Sequence, residues 1–300
     1  MKLSNKNYIV GIDIGGSKII AALVQDANIF YKIKIPMPKN KKDFFGKLEK
    51  VIGGLIKKAG GKKNIGGIGC GVAGVLDLEK GTVLGAVNIK ILNGFNIKNW
   101  MQKKFGREVK IDNDARSFLR AEYMFGAGRG YKNLVGVTLG TGIGGGVIIG
   151  GKFFYGSFNS AGEVGHMIYS EKKEFEDLVS SKSLKKSGFN SSLAAYQSAK
   201  SGNKKAKEVF KKLGEYLGIG ISNIINILDP EAVIIGGGLT GASEFFLPQA
   251  KETMKKYIIS PKSRKNVKII AGQLGENAGA IGAAALFNSR NMKHETGKKQ

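Results

Sequence analysis

Cysteine and histidine are nearly absent from this chain. One cysteine, Cys70, cannot close an internal disulfide, and two histidines, His166 and His294, are too few to build a tetrahedral cysteine/histidine zinc site with it. Structural zinc is not expected. Long apolar runs are missing too: nothing approaches the roughly 20 consecutive apolar residues of a membrane span. The opening MKLSNKNYIV reaches a strand pattern too soon for a secretory signal, so the expected location is the cytoplasm, with no membrane partner. Arginine is scarce. Of 48 basic residues only six are arginine, whose planar fork suits bidentate recognition of phosphate and guanine better than lysine's point charge. Acidic residues number 23, which leaves a formal net charge of +25. That charge concentrates anions near the surface. The lysines are nevertheless spread over expected solvated helix faces, so they read as background, and nucleic acid is not an expected partner.

What is present is enough apolar residue, 42% of 300, to bury a sizeable core in two lobes. Short apolar runs at 8–14 and 19–24 flank Gly15-Gly16 and predict a β-hairpin, and a third at 29–35 ends at Pro36. Between Lys41 and Lys58, residues Phe44, Phe45, Leu48, Val51, Ile52, Leu55 and Ile56 recur at helical spacing. Strands are predicted at 65–72 and 109–112, and helices at 97–104 and 115–125. After Gly126 to Gly130 the pattern restarts, with strand 134–139, a glycine run 140–146, strand 147–149 and a run at 153–155. Helices follow at 174–186 and 204–228, a strand at 232–235, a helix from Ala242, a strand at 267–270 and a helix at 278–287. Beyond Asn288 the apolar period is lost, and the tail reads as a frayed end.

Alternating strands and helices predict an α/β fold. GIDIGGSKIIAALV and VTLGTGIGGGVIIG share a strand, a polar glycine turn and a returning strand, which implies an internal duplication and a cleft between two lobes. The expected division is a small lobe over 1–112, with the C-terminal helix at about 278–300 as a candidate to complete it, and a large lobe over 113–277.

Three glycine-dense turns follow predicted strands: 13–18, 140–146 and 236–241. Glycine lets backbone N–H groups form a concave nest around phosphate oxygens, although a tight hairpin also wants glycine. Neither GxxxxGK[ST] nor a strand-bound GxGxxG with a later acid fits. Asp13, at the first turn, is placed to hold Mg²⁺ through water, or to organise its own turn.

GIDIGGSKIIAALV, IGCGVAGVLD, IDNDARSF, VTLGTGIGGGVIIGGKFFYGSFNSAGEVGHM and AVIIGGGLTG, in that order, resemble the ROK family of sugar kinases and related repressors. The resemblance runs from about Tyr8 to Phe287. It implies the actin-like, hexokinase-like (ribonuclease H-like) two-lobe ATPase fold with duplicated βββαβαβα lobes. By position, Asp114 matches the family's catalytic base and Asn113 a sugar-hydroxyl ligand. Glu163 and His166 match the hydroxyl-binding pair, and Glu176 a further sugar-binding glutamate. Gly74 matches the glycine of a substrate-side turn, with Ala73 where proline is usual, and Asn88 stands where a substrate-cleft asparagine is common. Gly15, Gly16, Ser17 and Lys18, with Thr141 and Gly142, match the ATP-phosphate turns, and Gly237 and Gly238 an adenosine-side turn; Lys18 also reads as a solvated turn lysine. Many members carry a zinc-binding cysteine cluster after Glu-x-Gly-His; residues 169–184 hold no cysteine, so this chain resembles the zinc-free members.

The implied activity is ATP- and Mg²⁺-dependent phosphorylation of a hexose, glucose first, with other hexoses, N-acetylhexosamines and a polyphosphate donor as alternatives. Aspartate is also a favoured helix N-cap, so Asp114 is expected to cap helix 115–125 as well as to serve as base. His166, taken without the motif around it, reads as an ordinary buried histidine. A sugar-responsive repressor is the competing class; about seven residues precede the first strand, which leaves no room there for a helix-turn-helix. A homodimer or homotetramer is implied by the resemblance.

Overall fold

The computed structural model describes residues 7–288, which form two compact units. Unit 1 takes 7–126, 156–160 and 276–288; unit 2 takes 127–155 and 161–275. The sequence reading divides the chain after 112, whereas here the division follows Gly126, and the helix after residue 113 stays with its strand. The frayed end expected beyond 288 lies outside the described residues.

Unit 1 contains β1 (Tyr8–Ile14), β2 (Lys18–Gln25), β3 (Asn28–Pro36), β4 (Ile65–Val72), a small hairpin of β5 (Val75–Asp77) and β6 (Thr82–Gly85), and β7 (Val109–Asn113). Its sheet runs β3-β2-β1-β4-β7, antiparallel across the first three strands and parallel from β1 through β4 to β7. Helices α1 (Lys41–Lys58), α2 (Ile97–Phe105) and α3 (Asp114–Phe125) accompany it.

Alternation along the strands sorts side chains between two covered faces. Val10, Ile12, Ile14, Ile19, Ala21 and Leu23 join Phe44, Leu48, Ile52 and Leu55 of α1 in one cluster. Ile20, Ala22 and Val24 pack instead with Ala280 and Ala284 of the C-terminal helix Ala278–Ala284. That helix approaches closely because side chains are missing beneath it: a Cβ on Gly11 would fall 2.0 Å from the Ala280 carbonyl oxygen, and one on Gly69 1.8 Å from that of Ala283. α1 starts where Asn40 accepts the Asp43 N–H at 2.9 Å and ends on Lys57 and Lys58. Those end effects contribute about 1 kcal/mol each. Its six buried apolar side chains, worth roughly 1.5–3 kcal/mol apiece, decide its stability.

Unit 2 contains β8 (Leu134–Leu139), β9 (Ile143–Ile149), β10 (Lys152–Phe153), a hairpin of β11 (Ile168–Ser170) and β12 (Lys173–Glu174), β13 (Ala232–Gly236) and β14 (Lys268–Ala271). Its helices are α4 (Phe175–Leu178), α5 (Ser181–Lys186), α6 (Ser192–Lys200), α7 (Lys204–Leu228), α8 (Ser243–Tyr257) and α9 (Pro261–Asn266). The sheet order β10-β9-β8-β13-β14 repeats that of unit 1, with the same two antiparallel and two parallel pairings. This repeat is the duplication read from the two glycine-turn segments. α7 packs on α8 at backbone distance, because Gly214 and Gly218 meet the carbonyls of Phe246 and Ala250.

Several expected elements differ. The helix expected over 174–186 is two short helices, because Val179 leaves helical geometry and Ser180 is extended; Ser181 then donates its N–H to the Gly140 carbonyl at 2.8 Å. The glycine run 140–146 is a turn only to Gly142: Gly144, Gly145 and Gly146 pair with Thr138, Val137 and Gly136 inside the sheet. The run at 153–155 is a strand only at Lys152–Phe153. Hairpins β5–β6 and β11–β12 and helices α6 and α9 were not expected. No helix among the described residues is long and apolar enough to cross a membrane.

Candidate active site

In unit 1 the parallel strands β1, β4 and β7 are neighbours, so their carboxyl ends lie on one edge of the sheet, where open α/β sheets bind ligands. Asp13 lies near the end of β1 and the turn Gly15–Lys18 follows it, Ala73-Gly74 follow β4, and Asn113 ends β7 with Asp114 next to it. The fold therefore gathers residues predicted at three separate strand ends on one edge. Asn113 donates from Nδ2 to the Gly74 carbonyl at 3.1 Å, and Gly16 approaches Asn88 so closely that a Cβ would lie 2.8 Å from that of Asn88. Gly74 has φ +132°, and a Cβ there would meet the Gly85 carbonyl, so glycine is required.

The expected capping role of Asp114 is corrected. Asn113 is the cap: its Oδ1 accepts the N–H groups of Ala115 at 2.9 Å and Arg116 at 3.2 Å. Asp114 is the first helical residue, partly exposed, with one carboxylate oxygen on the Ala115 N–H at 2.9 Å. The helix end thus has its cap from the neighbour, and Asp114 stands in the positive field of the helix N-terminus.

Asp13 lies close enough to Asp114 for the two charges to oppose each other. Desolvation first, and then the Asp114 charge, push the Asp13 carboxyl from its ordinary 3.8 to about 7, against a smaller pull from Lys18. A hard carboxylate at this turn is suited to a dication met through water. Lys18, predicted at the phosphate turn, is placed 3.5 Å from Glu276, which also pairs with Lys32 at 3.0 Å and Lys34 at 2.7 Å. Hydrogen bonds from Lys34 and Lys32 lead in lowering the Glu276 pKa to about 2.

In unit 2, Glu163 and His166 stand at a short 3-10 turn, Val164–His166, held against β9. Gly145 admits it: a Cβ there would lie 2.3 Å from the Gly162 carbonyl oxygen, and one on Gly165 equally close to that of Ile143. Part of the second glycine run thus serves packing of the Glu-Val-Gly-His segment. His166 Nδ1 lies 2.8 Å from Glu174, a residue the sequence reading did not single out. That hydrogen bond is the main cause of a raised His166 pKa, opposed by burial and reinforced by the charges of Glu174, Glu176 and Glu163. His166 is 45% exposed and so is not an ordinary core histidine. Glu176 accepts the Ile143 N–H at 3.3 Å and pairs with Lys182 at 3.3 Å. Thr141-Gly142 form the tip of the β8–β9 hairpin. Gly237 (φ +88°) follows β13, and a Cβ there would strike the Leu139 carbonyl at the end of β8, so both predicted nucleotide turns share the carboxyl edge of this sheet. No three His, Cys, Asp or Glu side chains among the described residues are placed to hold a metal ion.

The sequence profile described as ROK family matches residues 9–290. The chain belongs to that family. A glucokinase of Streptomyces coelicolor is 29% identical to this ROK protein over 92% of the chain and 96% of its own length. A xylose repressor of Caldicellulosiruptor bescii is 29% identical over 94% and 78%. The crystal structure of a ROK family glucokinase from Streptomyces griseus, in complex with glucose and AMPPNP, superposes with a TM-score of 0.84 at 27% identity, covering 93% of this chain and 99% of the other. Membership and likeness together make this ROK protein a sugar kinase with the actin-like, hexokinase-like two-lobe ATPase fold.

Beyond Glu174, sequence reasoning missed the buried acid Asp112. Burial alone would raise its pKa, but Arg116 and Arg120 overturn that and hold it below the ordinary carboxylate range. Part of the signal was available: Arg116 and Arg120, four residues apart, share one face of the predicted helix, and Asp112 ends the strand predicted before it.

Proposed function

We propose that this ROK protein transfers the γ-phosphoryl group of ATP to a hydroxyl of a hexose, glucose before others, yielding the hexose 6-phosphate and ADP. The observation that carries this reading is the carboxyl edge of the unit 1 sheet, where Asp114 heads a helix capped by its neighbour and keeps a partly exposed carboxylate. Phosphoryl transfer asks little covalent work of the protein beyond orientation and charge stabilisation. Asp114 accepts the hydroxyl proton as the sugar oxygen bonds the γ-phosphorus and the bond from that phosphorus to the β-phosphate oxygen breaks. Asn113, Gly74 and Asn88 are the candidate sugar ligands of unit 1, and Glu163, His166 and Glu176 are those of unit 2. Because Glu174 holds Nδ1, Nε2 is the ring nitrogen left for a sugar hydroxyl. In unit 1 the amides of Gly15–Lys18, and in unit 2 those of Thr141-Gly142, are suited to phosphate oxygens, and Gly237-Gly238 of unit 2 to the adenosine side. Mg²⁺ would neutralise charge that develops on the phosphates, with Asp13 holding it through water.

The test is coupled ADP release across glucose, mannose, fructose, allose and N-acetylated hexosamines, with ATP and polyphosphate as donors. Asp114→Ala is expected to lower turnover by about a thousandfold with an unchanged circular dichroism spectrum. Near-normal turnover would overturn the assignment. The likeness to a xylose repressor supports a second reading, sugar-responsive DNA binding, which a mobility shift at stated salt addresses. A cytoplasmic homodimer or homotetramer belongs to the first reading and is checked by sedimentation.

A further inference from the structure

Two of the six arginines lie on α3, and both are buried. Both close on one carboxylate: Arg116 Nε lies 2.6 Å from Oδ1 of Asp112, and Arg120 Nη2 lies 2.9 Å from Oδ2. The same Oδ1 accepts the Asn113 N–H at 2.8 Å, so Asp112 spans the junction between β7 and α3. One arginine would neutralise it, and burying a second charge costs desolvation. What Arg116 adds is a further bond, from Nη1 to the backbone carbonyl of Asn159 at 3.0 Å.

Asn159 lies in the segment 156–160, which belongs to unit 1 although the residues on both sides of it belong to unit 2. It has φ +59°, in the left-handed region that asparagine adopts more readily than other non-glycine residues. Two residues later the chain returns to unit 2 at Ala161, and two after that it reaches Glu163. A single guanidinium thereby joins the acid that precedes Asn113-Asp114 to the backbone that precedes Glu163. Lysine, with one compact head, could not make both bonds at these angles.

We propose that Arg116 is a positioning residue. It pins segment 156–160 to the Asn113-Asp114 turn, so that the chain enters Ala161-Gly162-Glu163 from a fixed point. Losing it weakens sugar binding and leaves the chemical step. The kinetic part of this inference rests on the kinase reading; the structural part does not.

Full-length Arg116→Lys keeps a charge for Asp112 and gives up the fork, while Arg120→Lys alters the same ion cluster without touching Asn159. Amide hydrogen exchange over 156–160 is expected to be about tenfold faster in Arg116→Lys than in the wild type, and unchanged in Arg120→Lys. The KM for the sugar is expected to rise about tenfold in Arg116→Lys alone, with kcat and the KM for ATP within about twofold. Unchanged exchange over 156–160 in Arg116→Lys overturns the proposal, and so do equal effects in the two variants. Should Arg116→Lys fail to fold, Arg116→Gln keeps an amide donor where Nε meets Asp112, loses the Nη1 bond to the Asn159 carbonyl, and is read identically. A wild-type protein inactive on every sugar would sink the kinase reading and leave the exchange comparison to decide the positioning role.

Discussion

The carboxylate of Asp13 should destabilise unit 1 at neutral pH, and Asp13→Asn should recover that stability. Its pKa rises from 3.8 to about 7, roughly three units at about 1.4 kcal/mol each, which sets an upper limit of about 4 kcal/mol. The side chain is not fully enclosed, and solvent screening brings the expectation to about 2 kcal/mol. The folded state binds this proton more tightly than the unfolded chain does. Stability is therefore lost as pH climbs from about 4 to about 7, and it is level beyond both ends of that window. Asparagine carries no titrating proton, so its advantage is near zero at pH 4 and complete above pH 7. Trp100, the one tryptophan, lies on α2 and reports unit 1 selectively. In urea titrations without nucleotide or magnesium, a slope of about 2 kcal/mol/M places the variant's midpoint about 1 M higher at pH 8 and close to the wild type's at pH 4.5. An equal shift at both pH values, or none at pH 8, refutes the reasoning.

Gly69→Ala sets a methyl against the Ala283 carbonyl and should destabilise unit 1 by about 3 kcal/mol, read by the same fluorescence titration. Glu174→Gln removes the main cause of the raised His166 pKa; because the chain has only two histidines, the falling midpoint is directly resolvable by NMR titration of the imidazole protons. Gly237→Ala demands a strained φ and strikes the Leu139 carbonyl, so the KM for ATP should rise about tenfold while the KM for the sugar changes little.

Much of unit 1 was legible because its periods are unambiguous. The apolar residues read at helical spacing between Lys41 and Lys58 include all six that α1 buries, and β1 and β2 follow the two apolar runs around Gly15-Gly16. Glycines 144–146 misled because a residue without a side chain carries no alternation, so a strand looks like a turn. α6 escaped notice because it buries only Ala195 and Ala199, too small to mark a stripe. At the site, residue identities were legible and partners were not. Asparagine and aspartate are both good caps, so the sequence could not say which of Asn113 and Asp114 closes the helix. The bond from Glu174 to His166 depends on the β11–β12 hairpin, which was not expected, and those from Glu276 to three lysines on where distant backbone is brought together.

The C-terminal helix covers β1, β2 and β4, yet it is synthesised more than 200 residues after each of the strands it shields begins. During translation one face of the first sheet, including Ile20, Ala22 and Val24, has no lid of its own. Folding of the amino-terminal half thus waits on the last part of the message, and a nascent chain stalled before Ala278 should present an oily sheet to chaperones.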